Sequence, residues 1–213
     1  MDAGGVKLFE ARDSVIRQNE VTSNVGAGLW CDTDCFRIEY ADNFVANNTA
    51  IGIFHEISFD AAIHGNQLRQ NGVADSEWFW GADIALAGSR NVRVTGNRIE
   101  VAPERCAIVL IDQNRPDERG GRYQTRNDVV AGNEMRFQAR PCAGGVSDAK
   151  PGDENFGIIE SGGNAFDRNV YYVPRAAPPG RFGWGRDVVG WDRWRALGLE
   201  PHGRLVLTDE PVR

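Results

Sequence analysis

This chain has no apolar run long enough to cross a bilayer, no basic stripe, and only four cysteines and three histidines. The first absence excludes a membrane-spanning helix, which needs about 20 consecutive apolar residues. The second, with a formal net charge of −6, argues against a nucleic-acid footprint and against a polybasic membrane surface. Met1 runs straight into DAGGVKLF, without the basic and apolar blocks of a signal peptide. The 213 residues suffice for one domain with a sizeable core.

What the chain has is a repeated asparagine. Asn19, Asn43, Asn66, Asn97, Asn133 and Asn169 stand in one local frame. An apolar or aromatic residue lies three before each (Ile16, Tyr40, Ile63, Val94, Val130, Phe166), and another two after (Val21, Val45, Leu68, Ile99, Met135, Tyr171). No helical period gives that register. The spacings of 24, 23, 31, 36 and 36 residues predict a solenoid coil of about two dozen residues, with insertions in its later turns. The segments around each asparagine are short, β-branched and alternating, so the coils are expected to be strands joined by tight polar turns. Leucine-rich repeats have this period too, but their L-x-x-L-x-L-x-x-N frame is missing. A parallel β-helix is the expected architecture. A buried asparagine at one recurring turn then has a structural use, because its amide donates to one neighbouring coil and accepts from the other.

The repeated G-N-x-I/V frame resembles the pectate lyase-like (pectin lyase-like) right-handed parallel β-helix proteins. Within these, GGVKLFEARDSVIRQNEV (4–21), GLWCDTD (28–34), GIFHEIS (52–58) and WFWGADIAL (78–86) are similar to a bacterial group sharing G-L-W-x-D-x-D, G-I-x-H-E-I-S and W-G-A-G-I segments in that order. The resemblance implies an all-β solenoid of about six coils over residues 1–173. Residues 174–213, rich in proline and glycine, would form a tail whose short helix caps the last coil. Members of this fold include lyases, hydrolases, epimerases and non-catalytic adhesins, so fold does not choose the activity. They are commonly exported, which implies a secreted or cell-surface location. The abrupt start inside a rung suggests N-terminal truncation, with an uncapped coil at Gly4 to Lys7 open to end-to-end self-association.

Cys106 and Cys142 each lie 27 residues before a ladder asparagine and so share one column of consecutive coils. Neighbouring strands are about 4.8 Å apart, within reach of a disulfide; bridged and free thiols are both compatible with the spacing. Cys31 and Cys35 share one coil and lack the second cysteine pair or nearby histidine of a zinc site. The same 36-residue offset aligns Asp112 with Asp148 and Asp117 with Asp153. Two columns of acids on adjacent loops suit calcium, or are simply solvated turns.

The chemistry is expected on the outward face of coils two to four. In Ile51 to Ile57 the isoleucines alternate inward, leaving Phe54 and Glu56 outside; the same phase exposes Trp30 and Asp32. Stacking sets Trp30 beside Phe54 and Asp32 beside Glu56, with Lys7 near the aromatic pair. Sugar C–H faces stack on aromatic rings, and paired carboxylates perform glycoside hydrolysis. Asp34 and Asp83 are further candidate catalytic acids. His55 points inward by the alternation, as a core histidine would, but the H-E-I-S resemblance keeps it among the catalytic candidates. The aromatic run Trp78-Phe79-Trp80 lies in an insertion and either packs inward or walls a groove with Trp78 or Trp80 as sugar platform and Asp83 at its floor. Gly190 to Gly198 reads as a short helix closed by glycine, similar to the tryptophan-rich tails of carbohydrate-active β-helices, with Glu200 in place of the usual aspartate.

Two functions follow. One is an enzyme that cleaves a polysaccharide or oligosaccharide, by hydrolysis or, with a basic residue as proton acceptor, by elimination. The other is a non-catalytic β-helix that binds glycan or builds a cell-surface layer.

Overall fold

The computed structural model describes residues 4–74, 78–150 and 157–209. Three parallel sheets run the length of a right-handed β-helix. The first contains Gly4–Phe9, Ala27–Asp32, Ile53–Glu56, Ala82–Ala87, Cys106–Asp112, Cys142–Ser147 and Arg181–Gly185, closed by antiparallel Asp187–Val189. The second runs from Arg12–Arg17 to Ala165–Asp167 in six strands, and the third from Glu20–Thr22 to Arg204–Thr208 in seven. Six coils carry the ladder asparagines. The tail adds a partial seventh, because Arg181–Gly185 and Arg204–Thr208 pair in parallel with the preceding strands of the first and third sheets. Solenoid pairing therefore continues past residue 173, into the tail expected to cap the last coil.

The positions flanking each asparagine become continuous core columns. Ile16, Tyr40, Ile63, Val94, Val130 and Phe166 are register partners through the second sheet. Val21, Val45, Leu68, Ile99, Met135 and Tyr171 are partners through the third. Nearly all are fully buried, and each such side chain contributes roughly 1.5–3 kcal/mol by leaving water.

Between the two columns the chain turns, and the asparagine satisfies the turn. The Asn66 backbone N–H and Nδ2 donate to Asn97 Oδ1 at 3.0 and 2.9 Å, and Nδ2 also donates back to the Tyr40 carbonyl at 2.9 Å. The pattern repeats at Asn43, Asn97 and Asn133. The residue before each asparagine is left-handed, which explains glycine there in three coils (Gly65, Gly96 and Gly132, φ +65, +62 and +66°). The ladder ends at Glu200, whose carboxylate accepts from Asn169 Nδ2 at 2.6 Å and Tyr171 Oη at 2.7 Å. Glu200 is thus the terminal acceptor of the ladder. A second ladder, Asn24, Asn48 and Asn71, ends on Asp83 at the corner between the third and first sheets.

The helix Trp191–Ala196 closes the far end, with Trp194 fully buried and stacked on Phe182 at 4.8 Å between ring centroids. Cys106 and Cys142 form a disulfide across the fifth and sixth coils (Cα–Cα 4.4 Å). Closing a 36-residue loop removes unfolded-chain entropy worth about 4 kcal/mol. No helix among the described residues is long and apolar enough to cross a membrane.

Candidate functional site

The outward face of the first sheet carries a cleft of about 430 Å³ lined by Trp30, Asp32, Thr33, Phe54, Glu56, Trp80, Gln113 and Arg115. Parallel register builds it: Lys7, Trp30 and Phe54 are successive partners on the first three coils. Trp30 and Phe54 stack with centroids 5.6 Å apart, and Trp80, from the insertion after the third coil, meets Phe54 edge-on at 6.2 Å. Lys7 Nζ lies 3.6 Å from the centre of a Trp30 ring and 2.9 Å from Asp32 Oδ2.

Glu56 is held from two sides. Trp30 Nε1 donates to Oε2 at 3.2 Å, and Arg115 Nη1 donates to Oε1 at 2.7 Å. The side chains of Asp32 and Glu56 are only 17% and 14% exposed, so water screens them weakly. Burial pushes the Glu56 carboxyl above its ordinary range; the Arg115 hydrogen bond opposes the shift, and the Asp32 charge reinforces it.

Arg115 was not among the sequence-derived candidates. It belongs to a hairpin, Arg115–Pro116 with Arg122–Tyr123, inserted between the first and second sheets of the fifth coil. The hairpin folds back over earlier coils. Arg115 reaches Glu56 in the third, and Tyr123 Oη donates to Asp34 Oδ1 at 3.2 Å in the second. The 36-residue spacing announced an insertion, but nothing local says which coil it will cover.

The other expected residues separate. Asp34 lies across the hairpin in a neighbouring depression with Glu10, Phe59, Arg90 and Tyr123. His55 is fully buried, with Nδ1 3.1 Å from Tyr40 Oη, and burial lowers its pKa to about 3. Strand alternation puts it behind the cleft as a neutral core group, out of reach of substrate, which corrects its candidacy as a catalyst. Asp83 is also fully buried; its Oδ1 takes both Asn71 donors, and burial raises its pKa to about 7. It is a ladder terminus rather than the floor of a groove. The aromatic run divides three ways: Phe79 enters the core, Trp80 walls the cleft, and Trp78 is 42% exposed in a separate depression with Glu104, Arg105 and Arg181. Trp78 therefore does not share a platform with Trp30.

The expected column of Asp112 and Asp148 does not form a cation site. Asp112 turns inward and accepts the Thr125 N–H at 2.9 Å, Asp148 Oδ2 accepts from Trp80 Nε1 at 2.8 Å, and Asp117 folds onto its own turn through the Arg119 and Gly121 N–H groups. Asp153 lies outside the described residues. Among those described, no three His, Cys, Asp or Glu side chains converge to hold a metal ion.

A family model for the right-handed β-helix region matches residues 1–99. Among curated proteins there is no match. A solved structure, DFA-IIIase from Arthrobacter chlorophenolicus A6 in complex with GF2, is similar over 96% of this chain at 13% identity and a TM-score of 0.43. The chain spans 53% of that chain's length.

Proposed function

We propose that this right-handed parallel β-helix protein is carbohydrate-active and cleaves a polysaccharide or oligosaccharide in the cleft of its first sheet. The observation that carries the reading is Glu56: a carboxyl of raised proton affinity, beside a second acid, at the edge of a stacked Trp30 and Phe54 pair walled by Trp80. The rings take sugar faces by stacking. Protonated Glu56 gives its proton to the glycosidic oxygen as that bond breaks, and Asp32 supplies the second carboxylate, to attack the anomeric centre or to deprotonate water. Lys7 holds Asp32 in place through their ion pair and Arg115 orients Glu56. In an eliminating variant of the reaction, Arg115 or Lys7 serves as the proton acceptor instead.

Non-catalytic glycan binding is the second reading, and the observation that favours it is that each acid already has its own cation, Lys7 for Asp32 and Arg115 for Glu56. Glu56→Gln separates the two. With acidic and neutral polysaccharides as substrates, reducing-end or double-bond release is expected to fall by roughly 10²–10⁴-fold in the variant while binding persists, since that range is what a positioned acid or base contributes. Binding without release by the parent would leave only the second reading.

A further inference from the structure

Behind the cleft, on the inward side of the same strands, lies a polar group that the proposed chemistry does not use. Cys31 directly precedes Asp32, Cys35 directly follows Asp34, and both thiols are free and fully buried. Three observations bring them together. Each thiol lies near enough to the other to shift its proton affinity. Leu8 of the first coil is the register partner of Cys31, and its carbonyl lies 3.8 Å from Cys35 Sγ. Cys35 Sγ also reaches back over the turn to the Asp32 carbonyl, at 3.5 Å. The turn between them is tight, with Thr33 and Asp34 both left-handed (φ +50 and +53°), so the chain bends here, where an extended strand would hold the two residues roughly 13 Å apart.

We infer that Cys31 and Cys35 are a dithiol that closes to a second disulfide, stapling the turn that carries Asp32 and Asp34. The chain already holds one disulfide, Cys106–Cys142, so conditions that preserve that bond also act on this pair. The reaction needs a disulfide oxidant, of the glutathione or protein-dithiol class. The Cys35 thiolate attacks a sulfur of the oxidant, releasing one thiol and forming a mixed disulfide. Cys31, losing its proton, then attacks the Cys35 sulfur and releases the second thiol. Two electrons and two protons leave the pair, and the oxidant is reduced to two thiols. Cys35 is the better first nucleophile: the nearby Cys31 thiol lowers its pKa to about 7, whereas Cys35 and burial raise Cys31.

The consequence is mechanical. Asp34 N–H donates to the Ile57 carbonyl at 2.8 Å, and Cys35 N–H donates to Ser58 Oγ at 3.2 Å. A covalent bridge across residues 31–35 holds those bonds, and with them the position of Asp32 opposite Lys7. The inference concerns thiol chemistry, so it stands or falls independently of the polysaccharide reading.

The test is a thiol count on the full chain with Cys106 and Cys142 both replaced by serine, equilibrated with reduced or oxidised glutathione, denatured in acid and labelled with N-ethylmaleimide. Two labels are expected from the reduced sample and none from the oxidised one, with peptide mass analysis finding an internal bridge within residues 31–35. The parent chain, mapped in the same way, guards against poor folding of the variant, and is expected to show both bridges. Hydrogen exchange at the Asp34 and Cys35 amides should slow on oxidation. Two labels under every glutathione condition, or glutathione left attached to Cys35 in the parent, would overturn the inference.

Discussion

At Asp83 a buried carboxyl stands where the second ladder calls for another amide. Its Oδ1 accepts both Asn71 donors while Oδ2 lies buried without a partner. Burial raises the pKa from 3.8 to about 7, so the folded protein holds this proton more tightly than the unfolded chain. The stabilisation is full below about pH 4 and is lost as pH rises to about 7. The ionised form costs roughly 4 kcal/mol by linkage at the upper end of that window. His55 works in the opposite direction: its pKa is lowered from 6.5 to about 3, so its contribution is complete above pH 6.5 and is lost as pH falls towards 3. Asp83→Asn imitates the protonated acid at every pH. Urea unfolding of this variant is expected to give a curve flat in pH on Asp83's account, and stability above the parent's at and above pH 7. Parallel pH profiles for the two proteins would mean that Asp83 does not titrate in this window.

At the scale of elements, the hairpin of the fifth coil makes the cleft. Without it, Glu56 would face solvent with only Trp30 as hydrogen-bond partner; with it, Arg115 lies on the carboxylate and Gln113 closes one wall. Arg115 stabilises the charged form, so removing it raises the Glu56 pKa further. In the Arg115→Ala variant the basic limb of the pH profile for product release is therefore expected to move to higher pH, because Glu56 keeps its proton longer. An unmoved limb, or a downward shift, would show that Glu56 is not the acid. This element also marks the limit of reading the sequence. The asparagine frame, its flanking columns and the stacking of Trp30 on Phe54 follow from alternation and a coil of 23 or 24 residues, which are local facts. The contacts of Arg115 with Glu56 and Tyr123 with Asp34 span 59 and 89 residues and depend on the direction in which a hairpin folds, which no periodicity encodes. Asp83 was misplaced for a related reason. The insertion before it breaks the coil period, so its place as the fourth member of an asparagine column could not be counted from the chain.

The described coils have two unlike ends. At the far end the helix Trp191–Ala196 and the acceptor Glu200 close core and ladder, while Asp187–Val189, Ala165–Asp167 and Arg204–Thr208 are the last strands of their sheets. At the near end, strands Gly4–Phe9, Arg12–Arg17 and Glu20–Thr22 are all sheet edges, and Val6, Phe9 and Val15 are 37, 59 and 60% exposed. An edge of this kind recruits other strands. The ladder gives the end a polarity as well, since each coil donates towards the next and the first amide, Asn19, is left with a carbonyl oxygen facing outwards. Stacking one molecule's far end on another's near end would bring the Glu200 carboxylate against that oxygen, acceptor to acceptor, with the helix Trp191–Ala196 in the way. Open filaments are therefore disfavoured, and association through the near end is expected to stop at two copies, because it consumes both exposed edges in one isologous contact. Sedimentation equilibrium should find a dimer in exchange with monomer and nothing larger, and Phe9→Lys with Val15→Lys should return it to monomer without loss of thermal stability. A concentration-dependent series of higher species would mean that the far end is not the stop that its helix and carboxylate imply.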